Sequence, residues 1–217
     1  MKHFNIIVAI IAVAAVIFLM ARGIYKQSEE KNELANTTQA SILEIKNNDW
    51  VSGNPEAPVT LIEYLDFECE TCGAYYPLVS QLKTDYQDQM RFAVRYFPLP
   101  GHKNSRSAAH AVEAAGKQGK FWEMHDMLFT RQREWGEQHA ADQDQFEKYA
   151  REIGLNIDQW KQDVASTEVK DRVDANYQEA IQLGLQGTPS FFLNGRKIEG
   201  PRTYEGFKRL IDATLQE

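Results

Sequence analysis

The chain has 217 residues, 24 of them Lys or Arg and 31 Asp or Glu, giving a formal net charge of -7. Hydrophobic residues make up 43% and charged residues 25%, a globular balance that excludes wholesale disorder, and the acidic surplus offers no footprint for nucleic acid. Two cysteines are too few for a disulfide-stapled miniprotein or a closed four-thiolate zinc site.

From Phe4 to Ala21 the only polar residue is Asn5. As a helix this run spans ~27 Å, close to the ~30 Å hydrocarbon core of a bilayer. Cleavage after Ala21 would put Leu19 at a position that needs a small residue, so an uncleaved anchor over residues 1–21 fits better than a removed signal. Lys2 and the amino terminus favour a cytoplasmic start, while Arg22, Lys26 and Lys31 on the other flank oppose it. Residues 22–48 are polar and mixed in charge, and read as a linker with room for a short helix. Residues 49–217 are expected to form the folded domain.

Gly53, Pro55 and Pro58 punctuate the chain before Val59–Leu65, a β-branched apolar run of strand length. An amphipathic helix is predicted near Tyr75–Tyr86 and a second strand over Arg91–Phe97, ended by Pro98 and Pro100. Strand, helix, strand implies a right-handed crossover. Helical patterns follow over Ser105–Lys117, Phe121–Thr130, Gln143–Ile153, Ile157–Ala165 and Val169–Leu183. Ser190–Leu193 is a short strand, Asn194-Gly195 a type I′ hairpin signal, and Arg196–Glu199 the returning strand. A last helix spans about Tyr204–Leu215. Removing the helical block at about residues 101–183 leaves β-α-β-(α)-β-β-α, an α/β order compatible with a thioredoxin-like fold carrying a helical insertion.

The cysteines form one motif, Cys69-Glu70-Thr71-Cys72, placed after a strand and at a helix start. Unpaired N–H groups and the helix dipole there favour a thiolate on Cys69, and Cys72 one turn later can close a disulfide with it. Redox exchange is the reading this placement favours. A structural disulfide would close too small a loop to stabilise much, and a zinc site lacks matching ligands. His102, His110, His125 and His139 read as surface or capping residues. Phe121, Trp122 and Trp160 read as core, and Trp135, in a polar stretch, as partly exposed.

Residues 57–72, Ala-Pro-Val-Thr-Leu-Ile-Glu-Tyr-Leu-Asp-Phe-Glu-Cys-Glu-Thr-Cys, resemble the active-site segment of DsbA-like thiol–disulfide oxidoreductases of the thioredoxin superfamily. So do Arg95-Tyr-Phe-Pro-Leu-Pro100, Gln118–Leu128 and Gly187-Thr-Pro-Ser-Phe-Phe-Leu-Asn-Gly195. The resemblance spans about residues 50–215. It implies an exposed nucleophile at Cys69, a buried resolving Cys72, and a cis-proline at Pro189 preceded by Thr188, where substrate peptide would add as a strand. Without the resemblance, Pro189 could equally be a trans proline opening a strand. The resemblance also makes Glu63 a proton relay for the buried cysteine, through the raised pKa of an isolated buried carboxylate; otherwise it is an ordinary strand glutamate with its head in water.

One departure bears on strength. Strong oxidants of the family often carry Pro-His between the cysteines, whereas this chain has Glu70-Thr71, with Glu68 just before. Like-charge repulsion from Glu68 and Glu70 predicts a less stable thiolate and a milder oxidant. The resulting expectation is a membrane-tethered, extracytoplasmic oxidoreductase that forms disulfides in envelope or secreted proteins. It would need no metal or dissociable cofactor, and a membrane redox partner would reset it. A reductase or isomerase on the same fold, or a non-catalytic chaperone-like module, stand as alternatives.

Overall fold

The computed structural model describes residues 18, 20–29, 31, 33, 36–136 and 143–216. It divides into two compact units, Met1–Ile42 and Leu43–Glu217. In the first, every described residue from 18 to 42 is helical, more helix than the polar composition of the linker suggested. Among the described residues no helix is long and apolar enough to cross a membrane. The expected anchor over residues 1–21 lies almost wholly outside them.

The second unit begins at Leu43, six residues earlier than the predicted boundary. Leu43 and Ile45 pack with Ile62, Tyr64, Ala93 and Phe192. Arg95, fully buried, donates to the Glu44 carbonyl (2.7 Å) and to the Asp49 carboxylate (2.7 Å). An ion pair of this kind is costly to bury unless its hydrogen bonds are satisfied; here Tyr64 Oη and Arg172 complete the set. Polar composition concealed this docking, because the contacts run through a backbone carbonyl and a buried charge.

Five strands form one sheet in the order β1-β3-β2-β4-β5: β1 Trp50–Gly53, β2 Val59–Leu65, β3 Met90–Tyr96, β4 Ser190–Leu193 and β5 Arg196–Ile198. Strand β2, parallel to β3 on one side and antiparallel to β4 on the other, is buried at every position, because an apolar cluster covers each of its faces. Strand β1, unforeseen from the pattern, is an antiparallel edge on β3. Its last residue, Gly53, has φ +92°, and a Cβ there would lie 2.1 Å from the Met90 carbonyl oxygen; only glycine fits. The Asn194-Gly195 turn has both residues at positive φ, as its type requires. Asn194 Oδ1 also accepts the Thr60 N–H at 2.7 Å.

Helix α1, Glu70–Asp85, follows β2 after a short loop. Among the described residues, six helices separate β3 from β4: α2 Ser105–Gly116, α3 Phe121–Thr130, α4 Gln132–Trp135, α5 Gln143–Glu152, α6 Ile157–Ala165 and α7 Thr167–Gln182. Helix α8, Tyr204–Thr214, closes the chain. Alternation along β2 sends Leu61, Glu63 and Leu65 to one face of the sheet and Ile62 and Tyr64 to the other. Leu61 and Leu65 belong to the larger apolar cluster, with Cys72, Val79, Phe129 and Phe191. The insertion joins this cluster through aromatic contacts. Trp50 stacks on Phe121 at 4.7 Å, and Trp160 Nε1 donates to the Ala111 carbonyl (3.0 Å). Phe121 and Trp160 are core, as expected, and Trp122 is packed against it.

Two expectations are corrected here. Trp135 is buried, not partly exposed; its indole N–H donates to the Leu128 carbonyl at 3.0 Å, and its ring meets Phe146 at 5.2 Å. His125 is buried rather than at the surface. Helical spacing in α3 turns it inward among Phe67, Tyr76, Phe121, Trp122 and Phe129. His139 lies outside the described residues.

Candidate active site

Strand β2 ends in a short loop, Asp66–Glu68, that delivers Cys69 to the N-cap position of α1. Cys69 has an extended backbone (φ -67°, ψ 118°), and its carbonyl accepts the Gly73 N–H at 3.1 Å. The next N–H groups of the helix have no partner within it. Those of Thr71 and Cys72 hydrogen-bond the Cys69 sulfur. Both cysteines are free, and their burial differs: Cys69 keeps 8% of its surface and Cys72 none. Cys69 is thus less open than the exposed nucleophile expected of it, with the Thr188 carbonyl against its sulfur.

The two thiols titrate in opposite directions. Cys69 is pulled from 9.0 to about 5, first by its hydrogen bond with Cys72, against the effect of burial, and then by Thr188 and the Cys72 and Thr71 N–H groups. Cys72 is pushed well above its ordinary value, chiefly by burial and then by Cys69. The site therefore pairs a reachable sulfur that is ionised at neutral pH with a sealed one that holds its proton.

The flanking acids are not among the leading influences on the Cys69 thiol. The Glu68 carboxylate turns inward and accepts the Asn104 N–H at 2.6 Å. Glu70 and Thr71 lie exposed on the first turn, and Thr71 acts on the sulfur through its backbone N–H.

The Thr188–Pro189 peptide bond is cis, as expected. The Thr188 carbonyl oxygen lies 3.5 Å from Cys69 Sγ and accepts from it when Cys69 is a protonated thiol. Both Thr188 and Pro189 are half-buried, so a neighbouring polypeptide could reach the same edge.

Glu63 lies behind the cysteines on β2, between Val94 of β3 and Phe191 of β4. Its carboxyl is buried and its pKa is raised from 4.5 to about 8, mainly by burial, with Lys83 opposing and Cys69 reinforcing. It lines a small cavity of about 10 Å³ with Cys72, Tyr76, Lys83 and His125. Lys83 lies 3.7 Å over the Trp122 ring, a position that places a cation beside buried apolar surface.

Three side chains near the cysteines carried no sequence signal. His102 Nδ1 meets Asp66 Oδ2 at 2.6 Å. Its pKa is raised by that carboxylate, by Cys69 and by Glu68, against burial. Asp66 also accepts the Glu68 and Leu99 N–H groups, both at 2.9 Å, and so ties the cysteine loop to the segment after β3. Lys83 and Gln132 are the others. Each comes from a different turn or helix, and no short motif spans those separations.

A mixed sheet, a helical insertion, a cis-proline, and a Cys-x-x-Cys pair at a helix N-terminus define a thioredoxin-like α/β protein. The family described as Thioredoxin matches residues 45–213, and the chain belongs to it. Among solved structures it is similar to a thioredoxin-like oxidoreductase from Silicibacter pomeroyi DSS-3, with 28% identity, TM-score 0.68, and 83% of this chain and 97% of that one covered. It is also similar to a variant of α-DsbA1 from Wolbachia pipientis in which two cysteines are replaced by alanine, with 25% identity, TM-score 0.73, and coverages of 81% and 94%. Among curated proteins it is 38% identical over 166 residues to Na(+)/H(+) antiporter NhaA 3 of Salinispora tropica. That match covers 76% of this chain but only 24% of the antiporter, so the chain spans about a quarter of the relative's length.

Proposed function

We propose that this chain is a thiol–disulfide oxidoreductase that forms disulfides in protein substrates through Cys69 and Cys72. The observation that carries the reading is the opposed titration of the two thiols, because a stabilised thiolate on the reachable sulfur favours the reduced enzyme and hence oxidation of the substrate. The likeness to an oxidoreductase and to α-DsbA1 supports it.

In the oxidised enzyme a substrate thiolate attacks Cys69 Sγ of the Cys69–Cys72 disulfide. A mixed disulfide forms and Cys72 leaves as a thiolate. Its high proton affinity draws a proton, which the protonated Glu63 carboxyl on the same face of the sheet supplies. A second substrate thiolate attacks its own disulfide-bonded sulfur, closing the substrate disulfide and releasing the Cys69 thiolate. Two electrons pass from substrate to enzyme, and a membrane redox partner removes them. Thr188 and Pro189 align the substrate backbone as an added strand. Residues 1–21 anchor the domain on the extracytoplasmic side of the membrane.

The test is reoxidation of a reduced, unfolded protein substrate by the oxidised chain. Replacing both Cys69 and Cys72 by Ser should abolish it. Activity retained in the double variant would favour a binding or chaperone role. Transfer only toward reduced substrate would favour a reductase or isomerase.

A further inference from the structure

One side chain of the helical insertion hydrogen-bonds the backbone of the cysteine loop twice. Gln132, the first residue of α4, donates from Nε2 to the Phe67 carbonyl at 2.7 Å and to the Cys69 carbonyl at 2.9 Å. A primary amide has two N–H donors, and both are spent on the loop that carries the reactive sulfur. The Cys69 carbonyl is the one that opens α1 by accepting the Gly73 N–H. Gln132 adds a second donor to that oxygen, fixing the peptide plane from which the Cys69 side chain leaves.

The rest of the amide is fitted as closely. A Cβ built on Gly73 would lie 2.3 Å from Gln132 Oε1. Gly73 has no positive φ that would require glycine, and in a helix interior glycine is disfavoured against alanine. Backbone conformation does not explain this glycine, whereas the space taken by Gln132 does. Gln132 is itself held: its carbonyl accepts the Gly136 N–H at 2.7 Å, and the neighbouring Arg131 pairs with Glu134 (3.0 Å) and Glu152 (2.5 Å). Asn104 adds a parallel tie, with its N–H on Glu68 and its Nδ2 on the Trp135 carbonyl at 2.7 Å.

We propose that Gln132 is a positioning residue for Cys69, that Gly73 is glycine to admit its amide, and that the helical insertion thereby sets the reactivity of the thiol. The proposal rests on Cys69 being the reactive sulfur, as read above. The groups that hold the Cys69 thiolate are Cys72, Thr188 and the N–H groups of Cys72 and Thr71, and they act only while the N-cap residue keeps its orientation.

The experiment is the pH dependence of Cys69 alkylation by iodoacetamide, resolved by peptide mass, in the full chain. Variants are Gln132→Met, of similar length without donors, Gln132→Glu, which sets a carboxylate against two carbonyls, and Gly73→Ala. Thermal unfolding is followed alongside. Gln132→Met should move the alkylation midpoint up by about one unit, so that the rate at pH 5 falls about fivefold, and Gln132→Glu should move it further. Gly73→Ala should raise the midpoint as Met does, while helix propensity favours the folded chain. In a Gln132→Ala background Gly73→Ala should move the midpoint no further. Unchanged midpoints in the Gln132 variants, with or without a fall in unfolding temperature, would overturn the proposal. So would additive shifts from Gly73 and Gln132. Alkylation does not require turnover, so a wild-type chain that fails to oxidise any substrate would refute the proposed function and leave this comparison to be read on its own.

Discussion

Glu63→Gln should stabilise the protein and slow it at once. The buried carboxyl has a pKa of about 8 against 4.5 when unfolded. Below pH 4.5 both states carry the proton and the group contributes no difference. Between 4.5 and 8 the unfolded chain ionises while the folded one keeps its proton, so stability falls as pH rises by ~1.4 kcal/mol per unit. The loss accumulates to about 5 kcal/mol by pH 8 and is about 3 kcal/mol at pH 7. Glutamine has nearly the same shape and no charge, so it removes that loss. The assay is urea unfolding of wild type and variant at pH 4, 6 and 8. The two should nearly coincide at pH 4, and the variant should gain progressively above it. A difference that does not change with pH would refute the assignment of a proton to buried Glu63. In the same variant, exchange should slow by about 10²-fold or more, the range for a lost general acid or base being about 10²–10⁴, and an unchanged pH–rate profile would deny Glu63 that role.

Thiolate absorbance should titrate with a midpoint near 5 in wild type and vanish from that range in Cys69→Ser; a midpoint near 9 would contradict the helix-terminus account. Cys72→Ser should accumulate mixed disulfide between Cys69 and substrate, visible on non-reducing gels, whereas Cys69→Ser should trap none. Arg95→Ala leaves the buried Asp49 carboxylate with Arg172 as its remaining guanidinium partner and should cost about 3 kcal/mol in urea unfolding, while Asp49→Leu with Arg95→Leu should recover part of it. Gly53→Ala combines positive φ with a clash on Met90 and should destabilise by more than about 1 kcal/mol; a neutral result would mean that the edge strand yields.

The elements that the sequence made legible are those with local causes. Strand β2 was readable because Val59–Leu65 is buried on both faces, and the Asn194-Gly195 turn because its chemistry demands positive φ. The Cys-x-x-Cys motif and its strand-to-helix setting lie within one short stretch, so their geometry could be anticipated. Features built by tertiary contact were not legible. Strand β1 pairs with a strand that follows it by about forty residues, and its own composition is weak. His125 reads as polar by type, and only the aromatic cage assembled from the cysteine loop, α1 and α3 buries it. The position of Glu68 was not legible, because charge was counted along the chain, while the side chain turns inward to accept the Asn104 N–H. Gln132 carries no motif at all; its importance lies in two hydrogen bonds across more than sixty residues of chain.

The central claim is that Cys69 and Cys72 cycle as an oxidising pair. Equilibrating the chain with glutathione buffers and quantifying the Cys69–Cys72 disulfide by mass tests it directly. The account predicts a single two-electron transition with a potential above thioredoxin's, about -270 mV, and below the strongest oxidants' value of about -120 mV. A potential at or below that of thioredoxin, or no intramolecular disulfide, would contradict it.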